Sequence, residues 1–136
     1  MIEAEVWNAF SAAVTAFAVA ASPPIPVIHQ GVHGTPPDDG VWLETRFFPN
    51  KPENYGLPNQ GPTAHRGMCQ VSVCYRPGAG IVNGLEVGGA VVEAFAKGTA
   101  LGRAKVNVKP SISSVLTQPE RVSHPVTIPY LAIIQG

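Results

Sequence analysis

The chain has 136 residues, of which 45% are hydrophobic and 13% are charged, and its formal net charge is zero. This length fits one domain, residues 1–136, and the apolar content excludes a chain that is disordered by composition. The zero net charge excludes a general electrostatic attraction to nucleic acid or to a membrane. The charged fraction is about half of that in ordinary soluble domains, which indicates that part of the surface lies against partners.

The N-terminal segment predicts an amphipathic helix over residues 2–20. Large apolar side chains recur at three- and four-residue steps, at Trp7, Phe10, Val14 and Phe17. Pro23 and Pro24 end the pattern. The apolar run resembles the core of a signal peptide, but Glu3 and Glu5 precede it without any Lys or Arg. We therefore expect a structural helix, and the run is too short to span a bilayer.

The next segments predict strands. A short strand at 25–29 contains Pro26, which favours a sheet edge or a strand start. Residues 41–48 alternate, with Val41, Leu43, Thr45 and Phe47 expected to face the core. Residues 49–66 are rich in Pro, Gly and Asn and predict a long loop. The strand that follows, 67–75, is expected to pair with 41–48 as an antiparallel hairpin, with Cys69, Val71, Val73 and Tyr75 inward.

The second half predicts a helix followed by short strands. The helix is expected over 82–97, with its buried side formed by Leu85, Gly88, Gly89, Val92, Phe95 and Ala96. Short strands are expected at 105–109 and 112–116. A last strand carries Val126, Ile128 and Tyr130 on one face and is interrupted by Pro129. This order predicts an α+β domain, with two helices packed on one face of a mainly antiparallel sheet.

The stretch "PGAGIVNG" between strand and helix raises the question of nucleotide binding. Gly78 and Gly80 fit a dinucleotide fingerprint, but Asn83 stands where the third glycine is required. No phosphate-binding lysine follows, and the strand before the turn is expected to be antiparallel. A flexible connector is therefore the simpler interpretation.

The cysteines and histidines give no stronger evidence for a chemical site than the glycine turn does. Cys69 and Cys74 are five residues apart, so on a strand they face opposite ways at about 16 Å, too far for a disulfide. Two reduced thiols are expected, in agreement with a reducing compartment. Cys74 would act as a nucleophile only with a base that the sequence does not identify. His29 and His33 have a zinc-like spacing but do not lie on a helix. We therefore expect no catalytic residues, no cofactor and no metal.

Four features in order resemble the tail terminator family of long-tailed phages, the lambda-like tail-completion proteins. They are the N-terminal helix ending in Pro, "GVWLETRFFPNKPENYGL", "HRGMCQVSVCYRPGAG" with its helix ending in "AFAKGT", and the closing "VTIPYLA". The "G-x-Q-V-x-V" strand and the "IP-aromatic" ending are the most characteristic. The resemblance covers nearly the whole chain and concerns structural motifs rather than chemical ones.

The resemblance implies a non-enzymatic virion protein. A ring of six subunits would cap the head-proximal end of the tail tube, end tube polymerisation and provide the head–tail joining surface. Its partners would be further copies, the tail tube protein and a head–tail connector or head-closure protein. DNA would pass through the lumen without specific binding, and no membrane would be involved. The ring would assemble in the host cytoplasm, which agrees with reduced cysteines.

Charge placement adds a hypothesis about the ring. Residues 1–60 hold six acids and two bases, whereas residues 61–136 hold seven bases and three acids. Because a ring requires two different patches to meet, an acidic patch is expected to face a basic patch on the next subunit. The long loop has the reach to contact a neighbour or the tube. The expected interface residues are Glu44, Glu53, Tyr55, Leu57, Arg66, Arg76, Arg103 and Lys105.

Two alternatives stay open at this point. The first is another phage neck, connector or tail-tube component, such as a head-closure protein, which only its position among partners would distinguish. The second, from a different class, is a small ligand-binding or enzymatic domain that uses the Gly78–Gly80 turn. The mass of the purified protein separates the second alternative from an assembling ring.

Overall fold

A computed structural model describes residues 1–54, 61–78 and 80–135. It contains two helices, α1 and α2, and nine strands, β1 to β9. In chain order these are α1 (Ile2–Ala20), β1 (Val27–Ile28), β2 (Trp42–Pro49), β3 (Glu53–Asn54), β4 (Pro62–Tyr75), α2 (Val82–Ala94), β5 (Ala100–Leu101), β6 (Ala104–Val106), β7 (Ser111–Ile112), β8 (Leu116–Thr117) and β9 (Val122–Gln135).

The strands form one sheet around two long central strands. β4 and β9 pair antiparallel through 14 residues of each, from Pro62 opposite Gln135 to Tyr75 opposite Val122. The sheet order is β1-β2-β4-β9-β6-β5, while β3 pairs with β4, and β7 and β8 pair with β9. The β1–β2 pair is parallel and the other pairs are antiparallel. The predicted α+β class and the β2–β4 pairing are confirmed.

Both helices cover the same face of this sheet. Every fourth residue of α1 is buried, namely Ile2, Val6, Phe10, Val14 and Ala18. These side chains share one core with Cys69, Val71 and Val73 of β4 and with Val126, Ile128 and Tyr130 of β9. The rings of Phe10 and Phe95, whose centroids are 5.6 Å apart, join α1 to the end of α2. The predicted helix over 2–20 and the predicted inward residues of β4 and β9 are therefore confirmed.

The predicted loop over 49–66 is shorter than predicted, because among its described residues only 50–52 and 61 lie outside strands. Glu53 and Asn54 form β3, and Pro62–Tyr75 is one continuous strand. Proline and glycine suggested a loop here, but Pro62 stands at a strand start, where its missing N–H is tolerated. Trp42 lies on the face of β2 opposite to Leu43 and is nevertheless fully buried, with Pro36 of the preceding loop and Arg76 beside it.

The predicted buried side of α2 is also wrong in part. The helix ends at Ala94, and its buried residues are Gly84, Gly88 and Val91, with Phe95 following. Leu85 is 42% exposed, and Ala96 is exposed as well. The physical reason is close approach of the helix backbone to the sheet. A Cβ on Gly84 would lie 2.5 Å from Cε1 of Tyr75 and 2.6 Å from Cδ2 of His124.

The predicted interruption at Pro129 does not occur, since β9 runs from Val122 to Gln135 without a break. The carbonyl oxygen of Pro125 accepts a hydrogen bond from the N–H of Ser113, which follows β7 on the side of β9 away from β4. Because the nitrogen and the carbonyl oxygen of one strand residue point to the same side, the nitrogen of Pro125 also points away from β4. Pro129, four residues on, has the same orientation. Neither proline therefore removes a donor from the β4–β9 ladder. The partners on their side are short strands, at 104–106, 111–112 and 116–117 rather than at 105–109 and 112–116.

Two histidines, the buried His124 and the half-buried His29, connect separate elements. Nε2 of His124 lies 2.8 Å from the hydroxyl oxygen of Tyr75 beneath α2. His29 bridges α1 and β2, with Nε2 3.1 Å from Oγ1 of Thr15 and Nδ1 2.9 Å from Oγ1 of Thr45. Burial lowers the pKa of both imidazoles below the ordinary histidine value. Both rings are therefore held neutral in the folded protein at neutral pH.

The two glycines of α2 give a matched pair of substitutions. Gly84→Ala should destabilise the protein by about 1–3 kcal/mol, because the new methyl group overlaps the Tyr75 and His124 rings. Gly89→Ala should instead stabilise it, by up to about 1 kcal/mol, since its Cβ meets no atom within 4 Å and alanine favours a helix. Urea unfolding of both variants measures the difference. Equal destabilisation by both would contradict the close approach described above.

The histidines predict a pH dependence of stability. Because the pKa values of His29 and His124 are lowered by folding, the unfolded chain binds more protons as the pH falls below about 6.5. The contribution of these two histidines to the free energy of unfolding should therefore be complete above that pH, and the free energy of unfolding should decrease from pH 6.5 to pH 5. Urea unfolding at several pH values measures this slope. In His124→Gln the slope should be smaller, and an unchanged slope would exclude His124 as its source.

Candidate functional site

The opposite face of the sheet is not covered by either helix. Alternation along the strands places Arg46 and Phe48 of β2, Met68 and Gln70 of β4, and Leu131 of β9 on this side. Loop and strand-end residues fold over its Trp42 end. We call this surface the open face.

One end of the open face is apolar. Phe48, Met68 and Ile133 remain 41%, 37% and 57% exposed. The register places Phe48 opposite Met68 and Met68 opposite Pro129, so these side chains lie side by side across three strands. Contiguous apolar side chains on a soluble domain mark a surface that meets another protein. We call Phe48, Met68, Pro129, Leu131 and Ile133 the apolar end.

Basic side chains border the apolar end. Lys105 lies opposite Leu131, and Leu131 lies opposite Arg66, so the three residues form one row across the sheet. Arg46 lies two residues before Phe48 on the same face. Lys105, Arg66 and Arg46 are all exposed. Glu53, opposite Ala64, is the acid nearest in register. The apolar end therefore has a rim with more positive than negative charge.

The other end of the open face is filled by a polar cluster. The indole N–H of Trp42 donates to Oε2 of Glu44 at 2.8 Å, and the guanidinium of Arg121 pairs with the same oxygen. The guanidinium carbon of Arg76 lies 5.3 Å from the centre of the Trp42 ring. Arg76 also donates to the carbonyl oxygens of Pro37 and Glu120, both at 3.3 Å. This end is therefore closed within the chain.

The structure distributes the expected interface residues over several places. Glu44 and Arg76 belong to the polar cluster just described. Nε of Arg103 lies 3.1 Å from Oε2 of Glu5, and hydrogen bonds from the backbone and side chain of Arg103 lower the pKa of that carboxyl group. Glu53, Arg66 and Lys105 lie together at the apolar end, whereas Tyr55 and Leu57 lie outside the described residues. Acidic and basic halves thus meet partly inside one subunit.

The glycine turn lines an open pocket of about 450 Å³ with Tyr75, Asp39 and Asn83. Gly78 and Gly80 both adopt positive φ, which permits the sharp change of direction into α2. Ala79 between them lies outside the described residues. The strand before the turn is antiparallel to both neighbours, unlike the parallel strands of dinucleotide-binding folds. The geometry supports a connector.

The cysteines are buried in the sheet, and neither they nor the histidines form a chemical site in the described residues. Burial raises the pKa of the Cys69 thiol to about 12 and that of the Cys74 thiol to about 11, so both are protonated and unreactive at neutral pH. Both thiols are free. In residues 1–54, 61–78 and 80–135, no three His, Cys, Asp or Glu side chains come together as metal ligands. No helix of the described chain is long and apolar enough to cross a bilayer.

The sequence analysis did not predict the apolar end, although the alternation of side chains along the strands indicates it. The alternation that directs Phe47 to the core also directs Phe48 away from it, and the same holds for Cys69 and Met68. Two large apolar residues on the outward side of paired strands indicate a surface that is covered in use. Ile133 follows the same alternation in the last strand.

Comparison with known proteins agrees with this structure. A solved protein structure superposes on 97% of this chain and 94% of its own with a TM-score of 0.76, and at 23% sequence identity the likeness shows a shared fold. A search of curated protein sequences gave no significant match. A family model described as phage tail terminator protein matches residues 5–130. The chain belongs to the phage tail terminator family, and it is a structural protein of the phage tail.

Proposed function

We propose that this protein forms a ring, of six subunits in the lambda-like case, that caps the head-proximal end of the phage tail tube. The ring stops addition of tube subunits and then presents its free side to the head–tail connector. DNA passes through its lumen without specific contacts. The protein acts by occupying a surface and performs no chemistry.

The open face is the observation that carries this proposal. A β-sheet with both helices on one side and exposed Phe48 and Met68 on the other has an apolar surface available to another protein. Fully burying a phenylalanine or a methionine side chain contributes about 1.5–3 kcal/mol, and Phe48 and Met68 are still 41% and 37% exposed. Covering the exposed remainder contributes about 1 kcal/mol each, so these two residues are part of a larger contact area between subunits. Such a contact needs no chemical site, which agrees with unreactive thiols and the connector role of the glycine turn.

Tube assembly provides the test. Purified tail tube protein is polymerised with increasing amounts of this protein, and tube lengths are measured by electron microscopy. The wild-type protein should shorten the tubes and appear as a ring at one end. The double substitution Phe48→Gln and Met68→Gln should raise the concentration needed for this effect at least tenfold, or about 1.4 kcal/mol, because apolar contact area is lost.

Val19→Gln serves as the matched control. Val19 is an apolar residue of α1 that is 67% exposed, and it lies on the helix side of the sheet. This variant should cap tubes like the wild type, and circular dichroism should show all three proteins folded. Unchanged tube length at any concentration of wild-type protein would contradict the capping function. Equal loss in the control would show that the effect does not come from the open face.

A further inference from the structure

A second exposed apolar surface lies at the opposite end of the molecule. Ile81, Val82 and Leu85, where α2 begins, are 50%, 66% and 42% exposed. Beside them a groove of about 500 Å³ runs between the Pro23–Pro26 segment, Asp39 and the α2 residues Asn83 and Val87. We call Asp38, Asp39, Ile81, Val82, Leu85 and Glu86 the acidic surface.

The two surfaces have complementary character. Both combine large exposed apolar side chains with charges, but the acidic surface carries three exposed carboxylates and the apolar end carries three exposed bases against Glu53. Arg76 lines the pocket beside Asp39, and its guanidinium is engaged by the Trp42 ring and by the Pro37 and Glu120 carbonyl oxygens. Among the described residues neither Arg46 nor Lys105 forms an ion pair.

The positions of the surfaces fit repeated association. Met68 of the apolar end and Tyr75, which lines the pocket beside Asp39 and Asn83, are seven residues apart on β4. An extended strand of that length spans about 23 Å, so the surfaces lie at opposite ends of the subunit. Two different patches at opposite ends produce head-to-tail contacts, which close into a ring when the rotation between copies allows it.

We infer that the apolar end of one subunit binds the acidic surface of a second copy of this chain. Phe48 and Met68 contact the apolar residues around Val82 and the groove beside α2, while Arg46 and Lys105 face Asp38 and Glu86. The apolar contacts supply the affinity, and the charges orient the two subunits and speed their encounter. This inference rests on the ring of the proposed function and specifies the interface within it.

Charge exchange tests the inference. One variant combines Arg46→Glu with Lys105→Glu, and the other combines Asp38→Lys with Glu86→Lys. All four side chains are exposed, so both variants should fold. In 50 mM salt each variant alone should need at least tenfold more protein for half-assembly in sedimentation equilibrium, because the opposed charges become alike. The loss should be smaller at high salt, where charges are screened.

Mixing the two variants gives the decisive measurement. In the mixture each altered surface meets an oppositely charged surface of the other variant, so assembly should return to within threefold of the wild type, with subunits alternating. The control variant, Glu93→Lys with Lys109→Glu, reverses two exposed charges outside both surfaces and should assemble normally.

The outcomes separate this inference from the proposed function. A wild-type protein that stays monomeric, both free and on tail tubes, overturns the ring and the interface together. A wild-type oligomer whose assembly neither variant weakens overturns the interface alone. The same conclusion follows if both variants weaken assembly but their mixture does not restore it, because the two surfaces then do not face each other.

Discussion

The uninterrupted antiparallel pairing of β4 with β9 is the constraint on which the rest of the structure depends. Fourteen residues of each strand are paired without a bulge, so the alternation of side chains is never shifted. One set of residues, which includes Val71 and Ile128, therefore always faces the helices. The other set, which includes Met68 and Leu131, always faces away. A single inserted residue in either strand would exchange the two sets beyond that point.

This constraint also explains why one face of the sheet remains available to another protein. Two helices cover one face, and their contacts with the sheet are close because Gly84 and Gly88 bring the α2 backbone near to it. In residues 1–54, 61–78 and 80–135 there is no further helix to cover the other face. The polar cluster around Trp42 and Arg121 covers one end of that face. The apolar end around Phe48 is the part that remains exposed.

Strong periodicity made much of the fold predictable from sequence. The amphipathic spacing of α1, the alternation around Val71 and the helix after the glycine turn identified the α+β class and the core strands. The errors came from residues whose effect depends on tertiary contacts. Pro129 is harmless because its nitrogen faces away from β4, and Pro62 is harmless at a strand start. Leu85 looked like a core residue, but Gly84 and Gly88 occupy the positions of α2 where side chains of the sheet lie against the helix.

The charges were the least predictable part, because sequence position does not reveal which charges already have a partner. Glu5 with Arg103 and Glu44 with Arg121 pair across the two halves of one chain, which removes them as partners for a neighbouring subunit. Exposed ion pairs contribute about 0–1 kcal/mol each, so the remaining charges are too weak to hold a ring by themselves. In the proposed ring the apolar side chains at both ends of β4 would therefore supply the affinity. In the interface that we propose, the exposed charges beside them set which of the two ends a neighbour binds, and hence whether copies associate head to tail.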